Sequence, residues 1–437
     1  MDIIFSPDRI GVNQLNALQE DAVRHEKSEQ DVVLLAPTGS GKTLAYALLI
    51  KNFLQNTEHT QVLVIVPTRE LAQQIETNFK ALFPTLFCTS VHGGTASAIE
   101  KRKLTEHPTV VVGTPGRIFY HLENGSLSRA SLHTLVLDEY DKSLELGFKE
   151  QIEEIHYFLP GNIRKILVSA TELKSIPSFL KIDESLELNY LHQKTLIPKL
   201  QISELSVEPE YKIEALIHLL QKYQVDKTLV FCNHRDAVER VHLFLEKEDV
   251  EHDIFHGKMD QIERELALFK FSNGSTRILI ATDLASRGLD VSDISLIIHY
   301  QLPVNYEAFT HRNGRTARVD KLGSVILLMS KDEKKPDYLR SIRKEKIDEK
   351  EYNPQSIPRA AYCTLRLNLG KQQKIRKIDI VGYFLSFKEQ INKEELGQIL
   401  IKEKESFVAV PKHSAEAIIK RTQNSKIKRK KVKVTYA

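Results

Sequence analysis

The sequence predicts an α/β protein: two parallel-sheet domains in tandem, followed by a small basic α+β module. Two series of short apolar runs, each interleaved with helix-length segments, and a late change of composition and charge carry this reading. In the first series, 31–36 (DVVLLA), 61–67 (QVLVIVP), 109–115 (TVVVGTP), 134–139 (TLVLDE) and 165–171 (KILVSAT) are rich in Val, Ile and Leu. They are apolar on both faces, as strands covered by helices on both sides must be. The second series repeats the rhythm at 228–233 (TLVFCN), 252–257 (HDIFHG), 277–283 (RILIATD), 296–303 (LIIHYQLP) and 323–330 (GSVILLMS).

The stretch from Leu191 to Leu200 reads as a connection. After Ser330 the chain turns polar, and its first part is expected to be a terminal helix of the second domain. Residues 348–358, with two prolines, read as a linker. The expected domains are therefore 1–195, 200–347 and 359–437. At 437 residues the chain is too long for one core.

Cys88, Cys232 and Cys363 lie far apart and form no CxxC pair, so they are expected to be reduced structural thiols. No apolar run approaches the ~18 residues needed to cross a bilayer. The N-terminal MDIIFSPDRIGV lacks a basic start and a long apolar segment, so no signal peptide is expected. The expectation is a cytoplasmic monomer with no membrane partner. The net charge of +4 hides an asymmetry: Pro358 to Ala437 holds 19 Lys/Arg against 7 Asp/Glu, leaving the rest of the chain acidic. A basic module on an acidic body suggests a nucleic-acid partner.

APTGSGKT, residues 36–43, follows an apolar strand and opens an amphipathic helix, the setting a phosphate-binding loop needs. Its residues Pro37, Thr38, Gly39, Ser40 and Gly41 can wrap phosphates with backbone N–H groups. Lys42 supplies a point charge, and Thr43 offers a hydroxyl to Mg²⁺. Asp138, at the end of another strand, reads as the acid that holds Mg²⁺. Glu139 is placed to orient and deprotonate an attacking water. ATP and Mg²⁺ are the expected cofactors, with Lys42, Asp138 and Glu139 as catalytic groups.

Taken in order, APTGSGKT, PTRELAQQI (67–75), HGG (92–94), TPGR (114–117), DEYD (138–141), SAT (169–171), LVFCNHR (229–235), ATDLASRGLD (281–290) and HRNGRTAR (311–318) resemble the motifs of DEAD-box RNA helicases. The resemblance covers roughly residues 5–345 and implies two RecA-like domains. It implies that Gln19 reads adenine, with Phe5 the nearest upstream aromatic, and that Asp283 bonds the ribose. Arg315 and Arg318 resemble arginine fingers that reach the γ-phosphate. Asp141, Ser169, Thr171, Asp290, His311 and Arg312 would couple ATP to RNA through domain closure. Thr68, Arg69, Gly94, Thr114 and Arg117, with Gln261, Arg264 and Thr282, match the family's RNA contacts. Such contacts meet the backbone and position without reading sequence.

Tyr140 stands where the family usually has alanine. It is expected beside the catalytic carboxylates, packed toward the SAT motif, with its hydroxyl partnered.

The tail, about 360–436, resembles the atypical RRM that ends DbpA-type bacterial helicases, most specifically at GKQQKIR (370–376). In that group the module targets a hairpin of large-subunit ribosomal RNA. Lys371, Lys374, Arg376 and Lys377 are the expected contacts. SFVAVP (406–411) reads as a central strand in which Phe407 is the one aromatic, so the base-stacking face is expected to be poor and binding to lean on Lys and Arg. In KVKV (431–434), Lys431 and Lys433 are expected to face solvent while Val432 and Val434 pack. The first reading is a non-processive ATP-dependent RNA helicase acting on ribosomal RNA. The alternative is an ATP-gated RNA clamp or assembly scaffold that unwinds little.

Overall fold

The computed structural model describes residues 3–172, 175–182, 184–192, 200–283, 294–316, 323–336, 339, 343–345, 353–387, 390–422 and 425–437. The described residues up to 192 form one compact unit and those from 200 onward another.

The first unit holds strands β1 (Asp31–Leu35), β2 (Val62–Ile65), β3 (Cys88–Val91), β4 (Val110–Gly113), β5 (Thr134–Leu137), β6 (Arg164–Ser169) and β7 (Ser185–Asn189). Its helices are α1 (Ala17–Arg24), α2 (Lys42–Ile50), α3 (Arg69–Leu82), α4 (Ser97–Leu104), α5 (Pro115–Glu123), α6 (Tyr140–Glu145) and α7 (Lys149–Phe158). The strands make one parallel sheet in the order β3-β4-β2-β5-β6-β1-β7. Side chains alternate between two core layers. Val62 and Val64 of β2 join one, while Leu63 and Ile65 join the other. Burial on both faces is why these strands read as unbroken apolar runs.

The second unit repeats the plan with β8 (Leu200–Val207), β9 (Thr228–Phe231), β10 (Asp253–Phe255), β11 (Ile278–Ala281), β12 (Leu296–His299), β13 (Gly323–Ser330) and β14 (Arg343–Lys344). Their order is β10-β11-β9-β12-β13-β8-β14, again parallel. Its helices are α8 (Lys212–Tyr223), α9 (Arg235–Lys247), α10 (Gln261–Asn273) and α11 (Tyr306–Asn313).

The tail folds as β15 (Tyr362–Leu367), α12 (Lys377–Leu385), β16 (Ile399–Ile401), β17 (Ser406–Pro411), α13 (Lys412–Arg421), β18 (Lys426–Ile427), β19 (Lys430–Lys431) and β20 (Val434–Tyr436). Its antiparallel sheet runs β16-β17-β15-β20, with β18–β19 as a separate hairpin. SFVAVP is thus an inner strand, as expected. Val432 and Val434 are buried while Lys431 and Lys433 are exposed.

In the two parallel sheets, β3, β7, β8 and β14 escape the sequence reading. β3 and β7 are the two edges of their sheet, and CTSV and SLELN carry too few branched apolar residues to signal a strand. β8 alternates polar and apolar along LQISELSV. Among the described residues of 331–345 there is the short strand β14 and not the expected helix. The described end of the expected linker is pinned down. Ile357 packs into the second domain's core, and Gln221 donates to the Ser356 hydroxyl at 3.0 Å. No helix among the described residues is long and apolar enough to cross a membrane.

Candidate active site and RNA track

In the first unit the predicted nucleotide residues collect at the carboxyl ends of β1, β5 and β6, three adjacent strands. Open α/β sheets bind ligands at this edge. After β1 the chain turns through Gly39 and Gly41, both left-handed at φ +81° and +83°. A side chain at Gly41 would also collide with Gln19, whose Nε2 lies 2.3 Å from the position a Cβ would take. Gln19 is itself buried and fixed by α1's capping box: the Gln19 amide donates to Asn16 Oδ1 at 3.1 Å, and the Asn16 amide donates to Gln19 Oε1 at 3.0 Å. Asn16 Nδ2 donates to the Ser40 carbonyl at 2.9 Å. α1 therefore clamps the phosphate loop through two amide side chains. Phe5 packs on Phe83, ring centroids 5.1 Å apart.

Lys42 Nζ donates to the carbonyls of Ala36 (2.8 Å) and Pro37 (3.1 Å), so its ammonium lies across the loop. Asp138 is 4% exposed and accepts the Glu139 amide at 2.9 Å. Burial pushes its carboxyl above the ordinary aspartate range, against the opposing pull of Lys42. Tyr46, fully buried on α2, lies against Asp138 without meeting hydrogen-bond geometry; burial and the Asp138 charge push its phenol up. The sequence reading missed Tyr46 because it sits inside an apolar helix.

Glu139 caps α6 in a left-handed conformation, φ +48° and ψ +48°. A non-glycine residue held there costs ~1–3 kcal/mol and marks functional sites. Asp141 Oδ2 accepts from the Thr171 hydroxyl at 2.9 Å. Ser169 Oγ donates to the Thr171 carbonyl at 2.7 Å. The SAT segment is thus tied to the acidic motif by Asp141.

Tyr140 corrects one expectation, that its hydroxyl is partnered. It is fully buried in the apolar layer with Leu63, Leu137, Ile152 and Leu167, and its hydroxyl has no hydrogen-bond partner among the described residues. Residue 140 opens α6, and its ring fills this core layer. Burial raises its phenol.

The predicted RNA residues of this domain gather beside the nucleotide residues, at the ends of β2, β3 and β4. Thr68 caps α3, accepting the Leu71 amide at 3.2 Å. Arg69 lies on Gly93, where an added Cβ would stand 2.6 Å from its Nη2. Gly94 is exposed with φ +93°. Arg117 lies over the Tyr120 ring at 4.8 Å and pairs with Glu100. Glu100, which the sequence did not single out, is fully buried. It also accepts the His92 amide at 2.8 Å and meets His121 Nε2 at 2.9 Å. Burial pushes its carboxyl up, but the bonds from His121, Arg117 and the His92 amide outweigh it and hold it below the ordinary range.

In the second unit Arg312 is fully buried, and each of its five N–H groups has a partner. Nε and Nη2 go to Asp283, the second at 3.0 Å. Nη2 also reaches Asn233 Oδ1 at 2.7 Å, and Nη1 reaches the Gln301 carbonyl at 2.9 Å and His299 Nδ1 at 3.4 Å. Burial and the adjacent Arg312 push His299 down to about 3, so its ring is neutral. Arg312 only donates, so Nδ1 accepts and Nε2–H donates to Asn313 Oδ1 at 2.9 Å. Asp283, expected at the ribose, is engaged through both oxygens by Arg312 in this structure. His311 is buried beside this network, and Arg315 follows α11. Arg318 and Asp290 lie outside the described residues.

Gln261 opens α10 and Arg264 donates to its Oε1. The Thr282 amide donates to the Phe255 carbonyl at 3.2 Å. In the tail, Lys371, Lys374, Arg376 and Lys377 are all exposed around the start of α12. The β18–β19 turn joins them, with Lys428 Nζ donating to the Lys374 carbonyl (3.0 Å) and Lys430 Nζ to that of Gln373 (3.2 Å). Phe407, the one aromatic of a strand expected to be a poor stacking face, is 2% exposed although it alternates with the core residue Val408. Both faces of β17 are covered, so Phe407 offers no stacking surface.

Comparison with known proteins agrees with this geometry. Residues 16–176 match the DEAD/DEAH box helicase model, 211–320 the Helicase conserved C-terminal domain, and 364–436 the DbpA RNA binding domain. The chain is 30% identical to the ATP-dependent RNA helicase DbpA of Escherichia coli (strain K12), covering 98% of this chain and 95% of that protein. It is 29% identical to the DbpA of Bacillus subtilis (strain 168), covering 100% and 97%. Among solved structures, the DEAD-box helicase Mss116 bound to ssRNA and UDP-BeF superposes with a TM-score of 0.67 at 26% identity, covering 75% of this chain and 72% of that one. The chain belongs to the DEAD-box family of ATP-dependent RNA helicases, RNA-stimulated ATPases, in the branch that ends in a DbpA RNA-binding domain.

Proposed function

We propose that the chain unwinds short RNA duplexes locally and non-processively, on ribosomal RNA during large-subunit assembly, as a cytoplasmic monomer. The observation that carries the RNA target is the exposed basic edge of Lys371, Lys374, Arg376 and Lys377, extended by Lys428 and Lys430. Such an edge grips phosphates and folded RNA by charge, so binding weakens steeply with salt.

In the reaction, Lys42 exchanges its loop carbonyls for the outer phosphates, and the N–H groups from Pro37 to Thr43 cradle the rest. Two hard oxygen donors, the Thr43 hydroxyl and the Asp138 carboxylate, suit Mg²⁺ shared with the nucleotide. That ion supplies charge neutralisation on the phosphates when bound. Glu139 orients the attacking water and takes its proton. Arg315 and Arg318 neutralise charge on the transferring phosphoryl group. Gln19 holds the base, and Asp283, Asp290, His311 and Arg312 hold the second domain's motif in shape. The Asp141–Thr171 bond passes the nucleotide state toward Thr68, Arg69, Gly94, Thr114 and Arg117.

The test is RNA-stimulated ATPase and strand displacement on a panel of RNAs that includes ribosomal hairpins. Replacing Lys371, Lys374, Arg376 and Lys377 together by alanine is expected to abolish the preference for ribosomal RNA. It should leave stimulation by unstructured RNA at saturation within about threefold. An unchanged preference refutes the assignment of the target to this edge. ATP hydrolysis without strand release refutes unwinding.

A further inference from the structure

The tail's sheet is docked on the second domain through α10 and the turn after it. Thr364 Oγ1 donates to Ser275 Oγ at 2.8 Å and accepts from Asn273 Nδ2 at 3.2 Å. Ser272 Oγ donates to Gln398 Oε1 at 3.3 Å. Thr364 faces Ala409 across the β15–β17 pair, and Ala409 is fully buried on this non-core face. Ion pairs ring the contact: Arg359 with Asp249, Lys412 with Glu251, and Lys402 with Glu265.

The last of these pairs differs from the others. Glu265 lies on α10 one turn after Gln261. Lys402 takes its Oε2, and Gln261 Nε2 donates to its Oε1 at 2.9 Å. Gln261 Oε1 in turn accepts from Arg264. A carboxylate only accepts, so Glu265 dictates which end of the Gln261 amide faces it. The carbonyl end is thereby turned to Arg264, whose guanidinium only donates. Lys402 keeps Glu265 in that role. Without it, the Glu265 carboxylate loses the ammonium at its Oε2, on the residue next to Arg264.

We propose that Lys402 and Glu265 are positioning residues: tail docking sets the Gln261–Arg264 pair with which the second domain holds RNA. The proposal rests on the reading of Gln261 and Arg264 as RNA contacts. It makes the tail more than an address label. The docked tail shapes the core's grip even on RNA that the tail itself does not recognise.

The test uses the full chain and an unstructured single-stranded RNA, titrated in an ATPase assay at saturating ATP. Lys402→Ala is expected to raise the half-saturating RNA concentration about fivefold, with the maximal rate changed by less than about twofold. In a Gln261→Ala background the same substitution adds nothing. Glu265→Lys weakens RNA binding although it adds positive charge. Independent, multiplicative effects of Lys402→Ala and Gln261→Ala overturn the proposal in favour of a direct phosphate contact by Lys402. Tighter RNA binding by Glu265→Lys overturns it in favour of simple electrostatics. If Gln261→Ala alone leaves the half-saturating concentration unchanged, the RNA role of Gln261 fails first and the proposal falls with it.

Discussion

The two parallel-sheet domains share one architecture but compensate the buried charges of Asp138 and Arg312 differently. In the first, Asp138 is buried with its proton affinity raised, and Glu139 sits in a strained left-handed turn. In the second, Arg312 is as deeply buried, yet every donor it owns is satisfied. The contrast separates chemistry from scaffolding. On the proposed reading, burial at Asp138 is only partly offset by Lys42 and the Glu139 amide, and a bound nucleotide with Mg²⁺ would offset the rest. A group that must hold a motif in place is saturated by its own domain.

The sharpest way to break this comparison is at the acids. Glu139→Gln is expected to lower RNA-stimulated ATPase by ~10²–10⁴-fold, the range for a lost general base. Its RNA binding and unfolding midpoint should be unchanged. A large loss of stability in this variant would make Glu139 part of the scaffold.

Arg312→Met is expected to behave the other way. It removes the guanidinium from Asp283, Asn233 and the Gln301 carbonyl, and is expected to destabilise the protein by ~3–5 kcal/mol in urea unfolding. His299 sharpens the same point through pH. The unfolded chain takes up a proton near the ordinary histidine value of ~6.5, which the folded ring refuses until about 3. Fewer protons are bound in the folded state, so stability falls as pH drops through that window, by at most ~1.4 kcal/mol per unit from this group. His299→Gln is expected to flatten the slope; an unchanged slope would mean that the ring titrates normally.

Glu100 tests whether saturation also marks the RNA track. Glu100→Gln removes the charge that holds Arg117 and His121, and is expected to raise the half-saturating RNA concentration about fivefold at constant maximal rate, consistent with losing part of a charged hydrogen bond. The smallest effect belongs to Tyr140. Its hydroxyl is buried without a partner, so Tyr140→Phe is expected to leave ATPase within about twofold and stability equal or higher by ~1 kcal/mol. A loss of activity there would return the tyrosine to the coupling path.

Much of this was legible in the sequence because phosphate chemistry leaves local marks. Gly39, Gly41, Lys42 and Thr43 stand between a strand and a helix, and Asp138-Glu139 close another strand. Each needs only its neighbours to be recognised. Glu100, Tyr46, Asn233, Gln301 and His299 were not legible as site residues. Glu100 meets Arg117 from 17 positions away, and Asn233 meets Arg312 from 79. Their meaning arises when distant strand ends are brought together. Tyr140 misled for the converse reason. Flanked by acids in sequence, it is buried in an apolar core layer and its hydroxyl has no partner among the described residues. At Phe407 a poor stacking face is expected and the ring is buried, although alternation along the strand shows only the face it occupies and not what covers that face.

The most direct measurement is urea unfolding of Glu139→Gln and Arg312→Met side by side with the parent chain. The expected result is a midpoint for Glu139→Gln equal to the parent's and a large fall for Arg312→Met. Equal falls in the two variants would contradict it, because the acids and the arginine would then serve the fold alike.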